Sequence, residues 1–143
     1  MATPRENHEL AQCFACGPAN PRGLMLRFIT EAGTAVAETR CCASWVSWRG
    51  IIHGGILAAM MDEAMGYAVA THGWTGLTAR LTVDLHLPVA PGQHLTVRAW
   101  VERWRRRLAR TAAELVTPNG TVVARARAHV LLVQELPSVE LHG

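Results

Sequence analysis

Residues 47–71 read SWRGIIHGGILAAMMDEAMGYAVAT and contain the one long helical pattern of the chain. From Ile56 to Ala70 the residues are small, aliphatic or good helix formers, and they are apolar around the whole helical wheel. This pattern predicts a helix that is surrounded by protein. Asp62 and Glu63 are its only charged residues. Because desolvating an unpaired carboxylate costs free energy, the two acids indicate a functional pair or, alternatively, a structural ion pair.

The start of this helix lacks the Ser, Thr, Asp or Asn that usually caps the first amides, and His53, Gly54 and Gly55 stand there instead. We expect those amides to be free for a ligand. Two glycines allow an outside atom to approach closely, and the positive end of the helix dipole suits an oxygen that gathers negative charge. The pattern therefore predicts an oxyanion hole. Asp62 lies two turns further on, and Glu63 points about 100° away from it.

The length of 143 residues fits one domain, 1–143, in which residues 1–22 form an irregular lead-in rich in turn residues. No apolar run approaches the roughly 18 residues of a membrane span. The polar start of the chain also lacks the basic-then-apolar order of a signal peptide. We therefore expect a soluble, cytoplasmic protein with no membrane partner.

All 14 basic residues are arginine, the net charge is +3, and six of the arginines fall within residues 98–110. The planar guanidinium suits phosphate recognition. The charge is nevertheless too mild, and the aromatic residues are too few, to indicate a nucleic-acid partner.

Four cysteines raise the question of a metal or a disulfide. Cys13 and Cys16 have the C-x-x-C spacing of half a zinc site, but the second half is missing. Cys41 and Cys42 are adjacent, which is poor geometry for a tetrahedral site, although one of them or His8 could complete it. The expectation is a turn with reduced thiols and no metal, with a zinc or redox module as the outside alternative.

The remaining periodic segments alternate with a period of two, which predicts β-strands. The predicted strands are 24–30, 35–41, 78–89, 95–104, 107–117 and 121–133. Turn residues lie between them, including Ala32-Gly33 and Pro118-Asn119-Gly120. The order is two strands, one helix and four strands. The fold class is therefore α+β, with an antiparallel sheet of about five to six strands curled around one central helix.

With His53-Gly54-Gly55-Ile56 followed by Asp62, the chain resembles the hot-dog fold acyl-CoA thioesterases, in the group of the phenylacetate-pathway and 4-hydroxybenzoyl-CoA thioesterases. The run Asp62-Glu63-Ala64-Met65-Gly66 is similar to a variant common in one subgroup. The opening Cys13-Phe14-x-Cys16-Gly17-Pro18-x-Asn20-Pro21-x-Gly23-Leu24 is similar to the same subgroup. The likeness covers nearly the whole chain.

The resemblance implies a homodimer, or two such dimers paired as a homotetramer, that hydrolyses an acyl-CoA or acyl carrier protein thioester at two shared sites per dimer. The Gly54 amide would polarise the carbonyl, and Asp62 of the partner subunit would act as general base or nucleophile. His53 would orient the loop, and Thr78 would help to hold the lytic water. Some relatives carry an Asn where this chain has Ser47, which is a departure from their pattern. The candidate catalytic residues are Asp62, Gly54, His53, Gly55, Thr78 and Glu63.

Substrate binding is assigned by the same resemblance. Arg105, Arg106 and Arg107 lie at a predicted strand turn, near where relatives hold the CoA phosphates; the alternative is a solvated basic turn. The candidates for the remaining substrate contacts are Ser47, Trp48, Met61 and Met65. No separate cofactor is expected, because coenzyme A is part of the substrate. A non-catalytic acyl-CoA binder and a hot-dog hydratase or dehydratase are the alternative functions.

Overall fold

The computed structural model describes residues 11–136 as one α-helix packed against one antiparallel sheet, with a short 3-10 helix at Ala43–Trp45. The elements are β1 (Ile29–Glu31), β2 (Thr34–Arg40), α1 (Gly54–Ala70), β3 (Trp74–Leu85), β4 (His94–Arg105), β5 (Leu108–Val116) and β6 (Val122–Glu135). The six strands stand in the order β1-β2-β4-β5-β6-β3, and α1 contacts all of them except β1 closely. The predicted hot-dog fold, with its strand and helix order, is confirmed.

The helix is covered by the sheet on one side only. The side chains of α1 that are fully buried are those of Leu57, Met60, Met61, Ala64, Met65, Ala68 and Val69. Asp62 and Glu63 are half-buried, and Gly55 and Gly66 are exposed. The expectation of a helix surrounded by protein therefore holds for the single chain except along the strip that contains Gly55 and Gly66.

The first strand is much shorter than the predicted 24–30. Leu24 and Leu26 are buried, but their amides donate to the carbonyls of Phe14 and Ala15 at 2.7 and 2.9 Å. This segment therefore pairs with the lead-in turn, and only Ile29–Glu31 joins the sheet. The apolar alternation is the same for either partner, so the pattern alone did not distinguish them.

Strand β3 lies at the end of the sheet, pairs with β6 and leaves its other edge open within the described residues. The predicted strand 78–89 begins four residues earlier and ends at Leu85. Its apolar alternation predicts one buried face, and that expectation is wrong for the single chain: Leu81 and Leu85 are 38% and 53% exposed. Their side of the sheet lies beside the uncovered face of α1.

The predicted turns are confirmed by their backbone angles. Ala32 and Gly33 both have positive φ values, +49° and +81°, as a two-residue hairpin requires. Gly120 has φ +86° between β5 and β6, and Gly73 has φ +89° just beyond the end of α1. Glycine is the residue that adopts this conformation without steric cost.

Candidate active site

Asp62 lies in the middle of α1 on the face that the sheet does not cover, and its carboxylate is held by strand β3. The Thr78 hydroxyl donates a hydrogen bond to Asp62 Oδ1 at 2.7 Å. A hydrogen bond to a charged acceptor of this length is among the stronger ones in proteins. The fold therefore brings together the two residues that the sequence named separately as a carboxylate and a water-holding hydroxyl.

A β-bulge at Ala79 gives Thr78 this orientation. Thr78 pairs with Val130 and Arg80 pairs with His129, so β3 has one residue more than β6 at this point. In unbroken alternation Thr78 would share the outward face of Arg80, whereas the extra residue turns it to the inward face of Val130. Bulges commonly re-aim a side chain next to an active site.

The helix start differs from expectation at one of its two glycines. The Gly55 amide is not free: it donates to His53 Nδ1 at 2.9 Å, so His53 itself is the N-cap. This agrees with an orienting role for His53. Within residues 11–136, no hydrogen-bond partner is found for the Gly54 amide. A Cβ at Gly54 would lie 2.7 Å from Leu85 Cδ1, so a larger residue there would displace the end of the Leu85 side chain.

Gly54 and Asp62 of one chain are too far apart to act on the same atom. They are eight residues apart on one helix, which corresponds to about 12 Å at 1.5 Å per residue. A reacting carbonyl bound to the Gly54 amide must lie within about 3 Å of its attacking group. The described chain therefore contains both parts of the predicted machinery but not in contact with one common substrate.

Glu63 does not join Asp62 and Thr78. Its Oε1 accepts a hydrogen bond from Cys13 Sγ at 3.4 Å, on the side of α1 that faces the lead-in turn. Burial, together with hydrogen bonding to Glu63, raises the pKa of the Cys16 thiol. Burial, with Cys16 as its hydrogen-bond partner, raises the pKa of the Tyr67 phenol as well.

The candidates for the acyl pocket separate into core and surface. Met61 and Met65 are fully buried within the chain and contact the core. Trp48 is 87% exposed in the loop before the helix, where the Arg49 guanidinium lies 4.7 Å from the centre of its ring. Ser47 fixes that loop through its backbone, since its amide donates to the Ile51 carbonyl at 2.7 Å.

Arg106 and Arg107 form the exposed turn between β4 and β5, as predicted, and Arg105 is the exposed last residue of β4. Arg106 has a φ of +54°, an uncommon value for a residue other than glycine. The residue after the turn, Leu108, pairs with Leu131, which pairs in turn with Leu77. With strands about 4.8 Å apart, the turn begins about 10 Å from β3, beside Thr78.

Sequence reasoning missed the exposed apolar residues that lie on the same side of the sheet as Thr78. Leu81 and Leu85 point from β3 toward the open face of α1, and Gly66 leaves that face uncovered. Their apolar alternation was visible in the sequence, but it indicated a buried strand face and gave no sign that this face is open in the single chain. Two surface depressions lie elsewhere, around residues 117–121.

The sequence profile of the thioesterase superfamily matches residues 49–124, which is just over half of the chain. The chain belongs to the thioesterase superfamily. The matched region includes the helix start, Asp62 and Thr78. A search of curated proteins gave no significant match.

Solved structures of other proteins with this fold are similar over most of this chain. The Escherichia coli PaaI protein from the phenylacetic acid degradation operon is 25% identical, with a TM-score of 0.77; the match covers 90% of this chain and 91% of that one. A mutant of the phenylacetic acid degradation protein PaaI from Thermus thermophilus is 28% identical, with coverage of 76% and 93% and a TM-score of 0.70.

A third similar structure is a hypothetical thioesterase protein with coenzyme A from Streptococcus pneumoniae TIGR4. It is 18% identical, with coverage of 78% and 91% and a TM-score of 0.75. Two further structures of a hypothetical thioesterase protein from the same organism each carry one substitution to alanine, of an aspartate in one and of a threonine in the other. The two substituted positions are sixteen residues apart.

No helix in the described part of this chain is both long and apolar enough to cross a membrane.

Proposed function

We propose that this thioesterase superfamily member hydrolyses acyl-CoA thioesters at a site built from two copies of the chain. Asp62 of one copy is the general base, and the Gly54 amide of the other stabilises the oxyanion. The observation that carries the proposal is the 2.7 Å bond between Thr78 and Asp62 on the open face of a helix whose first amide has no partner among residues 11–136.

The separation within one helix supports the shared site. Because Gly54 and Asp62 of one chain lie about 12 Å apart, one substrate can meet both only if a second chain supplies one of them. The open edge of β3, twelve residues long, is the surface through which a second copy would pair. The other edge, β1, has only three residues.

Gly66 points to the same face. A glycine inside a helix costs about 0.8–1.0 kcal/mol relative to alanine. Nothing lies within 4 Å of a Cβ built at Gly66, so no contact within the described residues requires glycine there. A requirement from outside the chain, by a second copy or by the substrate, accounts for the small residue next to Asp62.

In the proposed reaction, the Asp62 carboxylate takes a proton from a water molecule that the Thr78 oxygen helps to hold. The oxygen of this water forms a bond to the thioester carbonyl carbon, and the carbonyl oxygen becomes an oxyanion that accepts from the Gly54 amide. The C–S bond then breaks and leaves the carboxylic acid. The thiolate leaving group receives the proton that Asp62 took, so the carboxylate is ready for the next turnover.

Two further surfaces would bind the substrate, one through its phosphates and the other through its acyl group. The Arg105–Arg107 turn lies at the end of the sheet where Thr78 lies, whereas Gly54 lies against Leu85 at the opposite end, roughly 25 Å away along β3. The arginines that bind the CoA phosphates would therefore come from the chain that supplies Asp62. Leu81 and Leu85 offer apolar contacts for the acyl group.

The relatives add independent support. The S. pneumoniae protein holds coenzyme A in its structure. The aspartate and threonine altered in the related structures have the same spacing as Asp62 and Thr78, sixteen residues. The same pair in the same order is what the proposed mechanism needs.

The test is a hydrolysis screen with aromatic and aliphatic acyl-CoAs and an acyl carrier protein thioester, with detection of the free thiol. We expect turnover of at least one acyl-CoA. Asp62→Asn should lower kcat by roughly 10²–10⁴-fold, the usual worth of a positioned base, with the fold intact. The matched control is Asp84→Asn, which makes the same change on the exposed outward face of β3 and should leave kcat unchanged.

A result against hydrolysis would be wild-type protein that binds acyl-CoA and releases no thiol from any member of the panel. That result would favour the non-catalytic binder. Full activity of Asp62→Asn would leave the thioesterase assignment in place and remove Asp62 from the mechanism.

A further inference from the structure

The fold brings a third potential metal ligand to the Cys13-x-x-Cys16 turn. The Sγ atoms of Cys13 and Cys16 and a carboxylate oxygen of Glu63 all lie within 4.8 Å of one another. Glu63 is fifty residues from Cys13 in sequence, so its presence here is a product of the fold. The other two cysteines are elsewhere: Cys41 lies beside the β4 start and Cys42 contacts Ser44, and His8 lies outside the described residues.

The turn that carries the two thiols is held rigidly. The Gly17 amide donates to the Cys13 carbonyl at 2.8 Å, and a Cβ at Gly17 would lie 2.4 Å from the Cys13 nitrogen, so only glycine closes the turn. Backbone bonds from Leu24 to Phe14 and from Leu26 to Ala15 fix its other side. Both thiols are therefore presented to α1 in set positions.

The spacing suits a tetrahedral ion. With Zn–S bonds of about 2.3 Å and a Zn–O bond of about 2.0 Å, a sulfur and an oxygen ligand lie about 3.5 Å apart. The Cys13 Sγ to Glu63 Oε1 distance is already 3.4 Å. Thiolate and carboxylate ligands together select a borderline-soft divalent ion such as Zn²⁺ over Mg²⁺ or Ca²⁺.

We propose that Cys13, Cys16 and Glu63 bind a zinc ion that joins the lead-in turn to the central helix. Glu63 follows Asp62 in sequence but lies on another face of the helix. Each thiol loses its proton to solvent as its sulfur binds the ion, and water occupies the fourth position. None of the three ligands is among the residues proposed to bind the substrate, so zinc binding can be tested separately from thioesterase activity.

A reactive disulfide pair is the alternative use of the two thiols. Reactive pairs have thiols whose pKa is lowered by neighbouring positive charge. Here the neighbouring group is the Glu63 carboxylate, within 4.8 Å of both sulfurs, and Cys16 is only 2% exposed. The carboxylate can share a metal ion with the two sulfurs, whereas a reactive thiol needs access to its reaction partner.

The experiment uses the full chain, made metal-free under reducing conditions and titrated with Co²⁺. We expect the near-ultraviolet sulfur-to-cobalt absorption, its saturation at one ion per chain, and its loss when zinc is added. Cys13→Ser and Cys16→Ser should each weaken it strongly, and Glu63→Gln should lower the Co²⁺ affinity by at least tenfold, in line with the loss of a ligand. Cys42→Ser, a change to an exposed thiol outside the cluster, should leave the spectrum unchanged.

Absence of the sulfur-to-cobalt absorption in the wild-type protein would overturn the proposal, even if a variant fails to fold. The same conclusion would follow if the absorption kept its full intensity in Cys13→Ser or were lost in Cys42→Ser. A second measurement is thermal unfolding, because an ion that binds only the folded state raises Tm. Zinc should raise the Tm of the wild type and of Cys42→Ser, but not that of Cys13→Ser.

Discussion

The proposed role of Thr78 depends on its hydroxyl oxygen, which donates to Asp62 and helps to hold the water. Thr78→Val keeps the size and the β-branched shape of the side chain and removes the donor to Asp62. Loss of a hydrogen bond to a charged group costs about 1.5–3 kcal/mol, which corresponds to a fall in kcat of roughly tenfold to a hundredfold. Steady-state hydrolysis of the best acyl-CoA measures it.

Thr82→Val is the control for that change. Thr82 lies on the same strand but pairs with Arg127 on the outward face, so the substitution removes a hydroxyl that has no contact with Asp62. Equal rates for Thr78→Val and the wild type would show that the hydroxyl does not assist Asp62.

His53 gives a second prediction at this scale, because it accepts a bond from the Gly55 amide at 2.9 Å. His53→Ala removes the cap and should lower the free energy of unfolding by about 0.5–2 kcal/mol, whereas His53→Asn can still cap and should keep most of it. Urea unfolding measures both. If His53→Asn were fully stable yet inactive, the imidazole would have a proton-transfer role that the capping geometry does not show.

The exposed arginines of the β4–β5 turn can be tested for phosphate binding. If Arg106 and Arg107 bind CoA phosphates, replacing both by alanine should raise KM with little change in kcat, because these contacts are made equally in the ground state and the transition state. Added salt should raise the KM of the wild type more than that of the double variant.

Arg125→Ala is the matched control, since Arg125 is exposed on the outward face of β6 away from the turn. An unchanged KM in the double variant would identify the turn as a solvated basic loop. The wild-type activity would then need another site for the phosphates.

The elements also show where sequence reasoning succeeds and where it stops. Period and turn residues were enough for the helix, for four of the strands and for the hairpin at Gly120, because each depends on local preferences. The bulge at Ala79 was not visible, since an inserted residue looks like ordinary alternation until its partner strand is known. The same reason hid the pairing of Leu24 and Leu26 with the lead-in turn.

For the site, the sequence named Asp62, Gly54 and Thr78 through the motif and its resemblance. The contact of Glu63 with Cys13 depends on how the lead-in turn folds back over α1, and fifty residues of intervening chain give no local signal for it. The burial of Met61 and Met65 follows from the side of the helix that meets the sheet. An all-apolar wheel does not indicate that side.

The open edge of β3 and the uncovered strip of α1 predict that the protein is at least a dimer. Light scattering at micromolar concentration should give a mass of twice 15.6 kDa or a higher multiple. A monomer with full hydrolytic activity would contradict the shared site directly.

The outward face of the sheet carries apolar residues through which two dimers could pair as a homotetramer. Leu77, Leu131 and Leu108 form an exposed apolar row across the outward face of β3, β6 and β5. Pairing of two dimers through this face would cover the row. The light-scattering mass distinguishes the two assemblies.

The distance of about 12 Å between Gly54 and Asp62 has a genetic consequence. Suppose that one inactive gene encodes a bulky residue in place of Gly54 and another encodes Asp62→Asn. A mixed dimer of the two products has one site with both lesions and one site with neither. Two null alleles expressed together would then complement each other, and random pairing would restore about a quarter of the wild-type activity. Neither allele would show this when expressed alone.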